Sequence, residues 1–162
     1  MALAVTDADA RKLVNADLRL LAPKMEDRVR DMLNRAATKG YVATVYETMR
    51  SHRLARMYHA LGVSKANDGW RTWHFYGLAV DVIHPTRGWA PWDAEDQGAQ
   101  DWRGVVVEAG KAAGLDWGGD WHSFKDWPHW QFGTVKPSPS DEAIRLYKEE
   151  GIVELWRVCG AL

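Results

Sequence analysis

Apolar residues near the start of the chain, Leu13, Val14, Leu18 and Leu21, recur at helical spacing behind a cap at Thr6 or Asp7. The pattern predicts a helix over roughly residues 7–21, ended by Pro23. A second helix starts at Pro23 or Lys24. Met25, Val29, Met32, Leu33 and Ala36 form its apolar stripe, and Gly40 stands at its C-cap. The β-branched alternation of "YVATVYETM" then predicts a strand over 41–48. "SHRLARMYHALGV" predicts a helix ending at Gly62, and the turn formers of "SKANDGWRTW" an exposed loop. "GLAVDVI" is a strand, and the Pro/Gly-punctuated "HPTRGWAPWDAEDQG" is a connection long enough to be functional. Trp102, Val105, Val106 and Ala109 mark an amphipathic helix over 100–113, closed by Gly114. "HWQF" alternates like a strand, and a helix over 140–158 capped by Ser140 or Asp141 completes the chain. Helices flanking a few short strands, without βαβα alternation, predict an α+β domain with a small antiparallel sheet.

At 162 residues and 46% hydrophobic, the chain fits one domain with a sizeable core. Its 21 Lys and Arg nearly balance its 22 Asp and Glu, so no basic stripe argues for nucleic acid. The opening "MALAVTDADARKLV" lacks a basic stretch followed by an apolar one, and no apolar run approaches the roughly 18 residues of a membrane span. These features predict a soluble protein made in the cytoplasm, without membrane insertion. One cysteine, Cys159, excludes an internal disulfide and reads as a bystander. Nine of ten tryptophans fall between Trp70 and Trp130. Most large rings fill a core, but such a concentration also marks where an aromatic groove would lie.

That region carries the chemistry. In "WHFYGLAVDVIHP", His74 and Asp81 would occupy opposite faces of an unbroken strand. They converge only if the chain bends between them, and Gly77 allows it. Alone, the pair reads more simply as an edge histidine and a solvent-facing aspartate. "DWPHWQF" adds Asp126 and His129, with Pro128 between them. Two histidines and a carboxylate could bind Zn²⁺ and leave a fourth position for water, with a second carboxylate to take that water's proton.

"TWHFYGLAVDV" followed by "GLDWGGDWHSFKDWPHWQF" resembles the zinc peptidoglycan peptidases, which include VanY-type D-Ala-D-Ala carboxypeptidases and phage L-alanyl-D-glutamate endolysins. Their pattern is S-x-H-x-x-G-x-A-x-D, then W-G-G-D-W, then a catalytic acid two residues ahead of P-H. The resemblance covers about residues 25–133. It implies a Hedgehog/DD-peptidase-like fold, one Zn²⁺ per chain held by His74, Asp81 and His129, and Asp126 as general base. "YETMRS" resembles the family's G-Y-R-S stretch, which would put Arg50 near the substrate carbonyl. Thr72 replaces the usual serine and keeps its hydroxyl. Leu54 and Ala55 stand where many relatives have Arg-Gln, a departure that bears on peptide binding and not on the metal.

Other polar residues have weaker claims. Asp120 reads as structural, capping a turn or orienting a ligand histidine. His122 either lines the groove or faces solvent, and His84 has a loop or supporting role. His52 and His59 read as surface residues, and Glu47 as the partner of a cation. The resemblance implies hydrolysis of an amide bond in the peptidoglycan stem peptide. The preferred form is a phage or prophage L-alanyl-D-glutamate endopeptidase, monomeric, released from the cytoplasm through a holin, with no separate wall-binding domain. The alternatives are a D-Ala-D-Ala carboxypeptidase and a catalytically idle, zinc-stabilised wall or virion binding module.

Overall fold

A computed structural model of the chain describes residues 6–66 and 68–162. Four antiparallel strands form one sheet in the order β1-β2-β4-β3, with β1 at Thr44–Glu47, β2 at Ala79–Ile83, β3 at Leu115–Trp117 and β4 at His129–Phe132. Two long helices, α2 (Pro23–Thr38) and α4 (Gln97–Ala112), pack on each other over one face. Alternation along β2 and β4 explains the layering. Val80, Val82, Trp130 and Phe132 join the buried core with Met25, Val29 and Met32 of α2 and Trp102 and Val106 of α4. Each such fully buried aliphatic side chain contributes about 1.5–3 kcal/mol. Asp81, His129 and Gln131 take the other face.

Most predicted elements are present, with informative differences. Thr6 caps α1 by accepting from the Asp9 amide, yet α1 covers only Asp7–Arg11, not the expected 7–21. Beyond it Asn15 leaves the helix: its carbonyl accepts from both the amide and the hydroxyl of Thr48, at 2.6 and 2.9 Å. Its side chain also accepts from the Asp17 amide, a local bond that competes with helix formation. The predicted terminal helix is two, α5 (Asp141–Glu150) and α6 (Ile152–Val158), broken at Gly151 with φ 88° and ψ 178°. α4 starts at Gln97, three residues before the expected boundary, because Asp96 caps it through the Ala99 amide. α3 (His52–Ala60) follows expectation, capped by Ser51.

The tryptophans are mostly core. Trp73, Trp92, Trp102 and Trp130 are buried, and three of their indole N–H groups reach backbone carbonyls of Lys136, Val82 and Val42. Trp130 lies roughly parallel to Trp117, with centroids 6.0 Å apart. No helix among the described residues is long and apolar enough to cross a membrane.

Candidate metal centre

The segment before β2 is not extended. Trp73–Tyr76 form a 3-10 turn that Thr72 caps, its hydroxyl accepting from the His74 amide. Gly77 closes the turn in the left-handed region at φ 66° and ψ 28°. A Cβ there would stand 2.7 Å from the carbonyl oxygen of Leu20, so the position demands glycine on both conformational and steric grounds. The bend at Gly77 turns His74 back over Asp81 on β2. In the sheet register Asp81 pairs with His129 on β4 and with Glu47 on β1. Cross-strand partners share a face, so the sheet itself sets these side chains together.

Three donor atoms converge there. His74 Nε2 lies 3.3 Å from Asp81 Oδ1, His129 Nδ1 lies 3.5 Å from the same oxygen, and the two ring nitrogens are 3.2 Å apart. The outer nitrogens fix the tautomers. His74 Nδ1 is 2.8 Å from the Thr48 carbonyl, which can only accept, so that nitrogen carries a proton. His129 Nε2 is 3.1 Å from Gln131 Oε1. The Gln131 amide is oriented by its own Nε2, which donates to the carbonyls of Lys136 and Val135 at 2.9 and 3.3 Å. His129 Nε2 therefore donates too. Two neutral imidazoles would thus point bare lone pairs at each other beside a carboxylate, a conflict that a proton or a metal cation resolves.

The spacing fits a metal. Ligands 2.0–2.1 Å from a tetrahedral Zn²⁺ lie about 3.3 Å apart, and two imidazoles with one carboxylate suit this borderline-soft ion. Among the described residues these three form the group able to hold a metal ion, and all three are buried. Their outer partners, the Thr48 carbonyl and Gln131, supply the supporting hydrogen bonds that ligand histidines use. Sequence reading missed both. A backbone carbonyl carries no residue signature, but a glutamine two places after His129 on a buried strand could have been recognised as sharing its face.

Charged neighbours complete the site. Arg50 is buried and makes a two-pronged contact with Glu47, Nε to Oε1 at 3.0 Å and Nη2 to Oε2 at 2.5 Å, with Nη2 also 3.5 Å from Asp81 Oδ2. Glu47 is thus the partner of a cation, as expected. Burial would raise the Asp81 carboxyl, but His74, a hydrogen bond with His129 and the charge of Arg50 hold it well below the usual carboxylate range. The opposite holds at Asp126, where burial and the charge of Asp81 push the carboxyl up against the pull of His129, His74 and Arg50. Burial works to lower His129, yet Asp81 and Asp126 leave it above the ordinary histidine value. Asp126 lines two adjoining cavities. One of about 370 Å³ contains Asp81 and Arg50, and one of about 130 Å³ contains His74, His129, Arg50 and Thr72.

Three further candidates stand apart from the donors. Asp120 pairs with Lys111 of α4 at 2.6 Å, so it orients no histidine. His122 is exposed and lines neither cavity. His84 builds the turn after β2: its Nδ1 accepts from the amides of Thr86 and Arg87, and its ring lies against Trp102. One residue past the end of β2 and three beyond Asp81, it alternates to the side opposite Asp81. His52 also departs from the surface reading, since its ring packs on Trp70 and Phe75 and its Nδ1 accepts from the Gly69 amide.

The chain is similar to known proteins. Residues 65–132 match the peptidase M15 family described as D-alanyl-D-alanine carboxypeptidase. The chain is 37% identical over 105 residues to the Bacillus subtilis peptidoglycan L-alanyl-D-glutamate endopeptidase CwlK, covering 58% of this chain and 62% of that one. It is 31% identical over 120 residues to the L-alanyl-D-glutamate peptidase of Listeria phage A118, covering 72% of this chain and 40% of the other. The chain therefore spans less than two thirds of the length of either curated relative. Among solved structures, Serratia marcescens L-Ala D-Glu endopeptidase ChiX superposes with a TM-score of 0.57 at 25% identity, covering 79% of this chain and 94% of that one. The fold is the DD-peptidase-like α+β fold. The resemblance to the zinc D-Ala-D-Ala carboxypeptidase and L-alanyl-D-glutamate endopeptidase family is borne out by a match over the segment that carries His74, Asp81, Asp126 and His129.

Proposed function

We propose that the chain is a zinc peptidase that hydrolyses an amide bond in the peptidoglycan stem peptide, cutting between L-alanine and D-glutamate. The observation that carries this reading is the convergence of three buried donors, the outer nitrogens of the two histidines held by the Thr48 carbonyl and Gln131, beside Asp126 and Arg50 on the walls of open cavities. The relatives' names supply the substrate class.

In this reading His74, Asp81 and His129 hold Zn²⁺, which when bound acidifies water and polarises a carbonyl. Asp126 takes a proton from the attacking water and returns it to the leaving amine. Its raised affinity for protons in the metal-free site suits both halves of that transfer. Arg50, with Nε and Nη2 held by Glu47, presents its charge to the carbonyl oxygen as negative charge develops there. Thr72 positions His74 through the cap of its turn. The chain would act as a single monomeric catalytic unit, made in the cytoplasm of an infected or lysogenic bacterium and reaching the wall through a holin.

The family description favours one competing reading, a D-Ala-D-Ala carboxypeptidase. Purified protein incubated with peptidoglycan, with and without a chelator, separates the two. The expected result is new N-terminal glutamate and C-terminal alanine by mass spectrometry, abolished by chelation and restored by Zn²⁺. Asp126→Ala should lower the rate by about 100-fold or more while retaining one Zn²⁺ per chain. Release of terminal D-alanine alone would support the carboxypeptidase. Bound zinc without cleavage of any bond would favour an idle binding module.

A further inference from the structure

Two cavities meet at the donor triangle. Tyr46, Tyr58 and Trp89 line the larger, on the Asp81 side; Trp73 and Trp121 line the smaller, on the His74 and His129 side. Arg50, Ser64, Lys65, Phe124 and Asp126 belong to both, so they form the boundary that an extended substrate must cross. Four cations line these cavities: Arg11, Arg50, Lys65 and Arg71. Three have carboxylate partners. Arg11 pairs with Asp7 at 2.6 Å, Arg50 with Glu47 at 2.5 Å and Arg71 with Asp141 at 2.5 Å. Among the described residues Lys65 has no carboxylate partner, and its Nζ stands 4.4 Å from the centroid of the Phe124 ring. A ring steadies an ammonium without neutralising it, so this charge remains available to an anion.

The substrate supplies one. A glutamate acylated by alanine and extended through one carboxyl keeps the other free, within a few bonds of the scissile amide. We propose that Lys65, held over Phe124 at the boundary of the two cavities, reads this free carboxylate and so determines specificity for glutamate beside the cut bond. This rests on the peptidase reading above. The neighbouring carboxylates sharpen the demand. Glu47 and Asp126 line the same space, so an anionic substrate needs a counter-charge to enter, and Arg50 in this reading faces the scissile carbonyl.

Two synthetic stem peptides test it, identical except that the free carboxylate of the glutamate is a carboxamide in one. Zinc-loaded protein should cut the carboxylate peptide with a kcat/KM about tenfold higher, the size of one charge-assisted hydrogen bond. Lys65→Met should remove that preference by slowing the carboxylate peptide alone, leaving the carboxamide peptide within about twofold of wild type. Lys65→Arg should preserve the preference, and raised salt should shrink it in the wild type. Equal rates on both peptides in the wild type, or a preference that survives in Lys65→Met, would overturn the assignment while leaving the peptidase reading intact. If the wild type cuts neither peptide, the endopeptidase reading falls and the role of Lys65 falls with it.

Discussion

Gln131 shows how one uncharged side chain can set a metal site. Its Nε2 is anchored to two carbonyls, so its Oε1 faces His129 and fixes which ring nitrogen is free. Replacing it with leucine keeps the bulk but frees the imidazole to rotate or change tautomer. Gln131→Leu should weaken zinc binding by about 10–100-fold, read by competition with a chromophoric chelator. Gln131→Glu, which keeps an acceptor, should lose less; an unchanged affinity in the leucine variant would show that His129 is held by packing alone. At this scale the sequence was most legible where residue type declares chemistry. His74, Asp81, His129 and Asp126 stand out as donors and acids in an apolar region. Gln131, Thr48 and the pairing of Asp120 with Lys111 did not, because their roles depend on which backbone or charge lies across a fold that spacing does not specify.

Helix α4 separates local propensity from tertiary packing. Gly104 is exposed and an added Cβ would meet nothing within 4 Å, whereas at Gly110 it would overlap the Trp130 indole. Propensity alone treats the two glycines alike. Gly104→Ala should therefore stabilise by about 0.5–1 kcal/mol, and Gly110→Ala should destabilise by about 1–3 kcal/mol through overpacking. Denaturant unfolding checks the opposite signs; stabilisation in both variants would mean that the Trp130 ring yields easily. The same division explains what periodicity misjudged. Apolar spacing over residues 7–21 looks helical, but Asn15 is bound to Thr48, and that long-range tie wins over local preference. Periodicity through Gly151 likewise concealed a break, since its backbone at φ 88° and ψ 178° cannot continue a helix. The 3-10 turn at His74 was hidden for a related reason: "WHFYG" has strand-like composition, and only Gly77 announces the reversal.

Across the whole molecule, the donor cluster couples stability to both proton and metal. Without metal, the depressed Asp81 stabilises the fold at pH values above its unfolded value of about 3.9, and that contribution is lost as pH falls through the folded value. The raised His129 contributes fully below its unfolded value of about 6.5, and this is lost as pH rises through its folded value. The metal-free cluster therefore contributes most between about pH 4 and 6.5. Zinc needs His129 neutral, so below the raised folded value each bound ion must displace a proton. Apparent affinity there should fall about tenfold per pH unit, or about 1.4 kcal/mol of the stabilisation that zinc adds. The gap in Tm between zinc-loaded and chelated protein should consequently widen from pH 6 to pH 8, at fixed free zinc. Thermal unfolding of both forms at the two pH values measures it. In His129→Ala the gap should be small and nearly pH-independent, because the variant has lost both a ligand and the proton that competes with the metal. A wild-type gap that stayed constant or narrowed would mean that zinc does not displace the proton the fold places on His129.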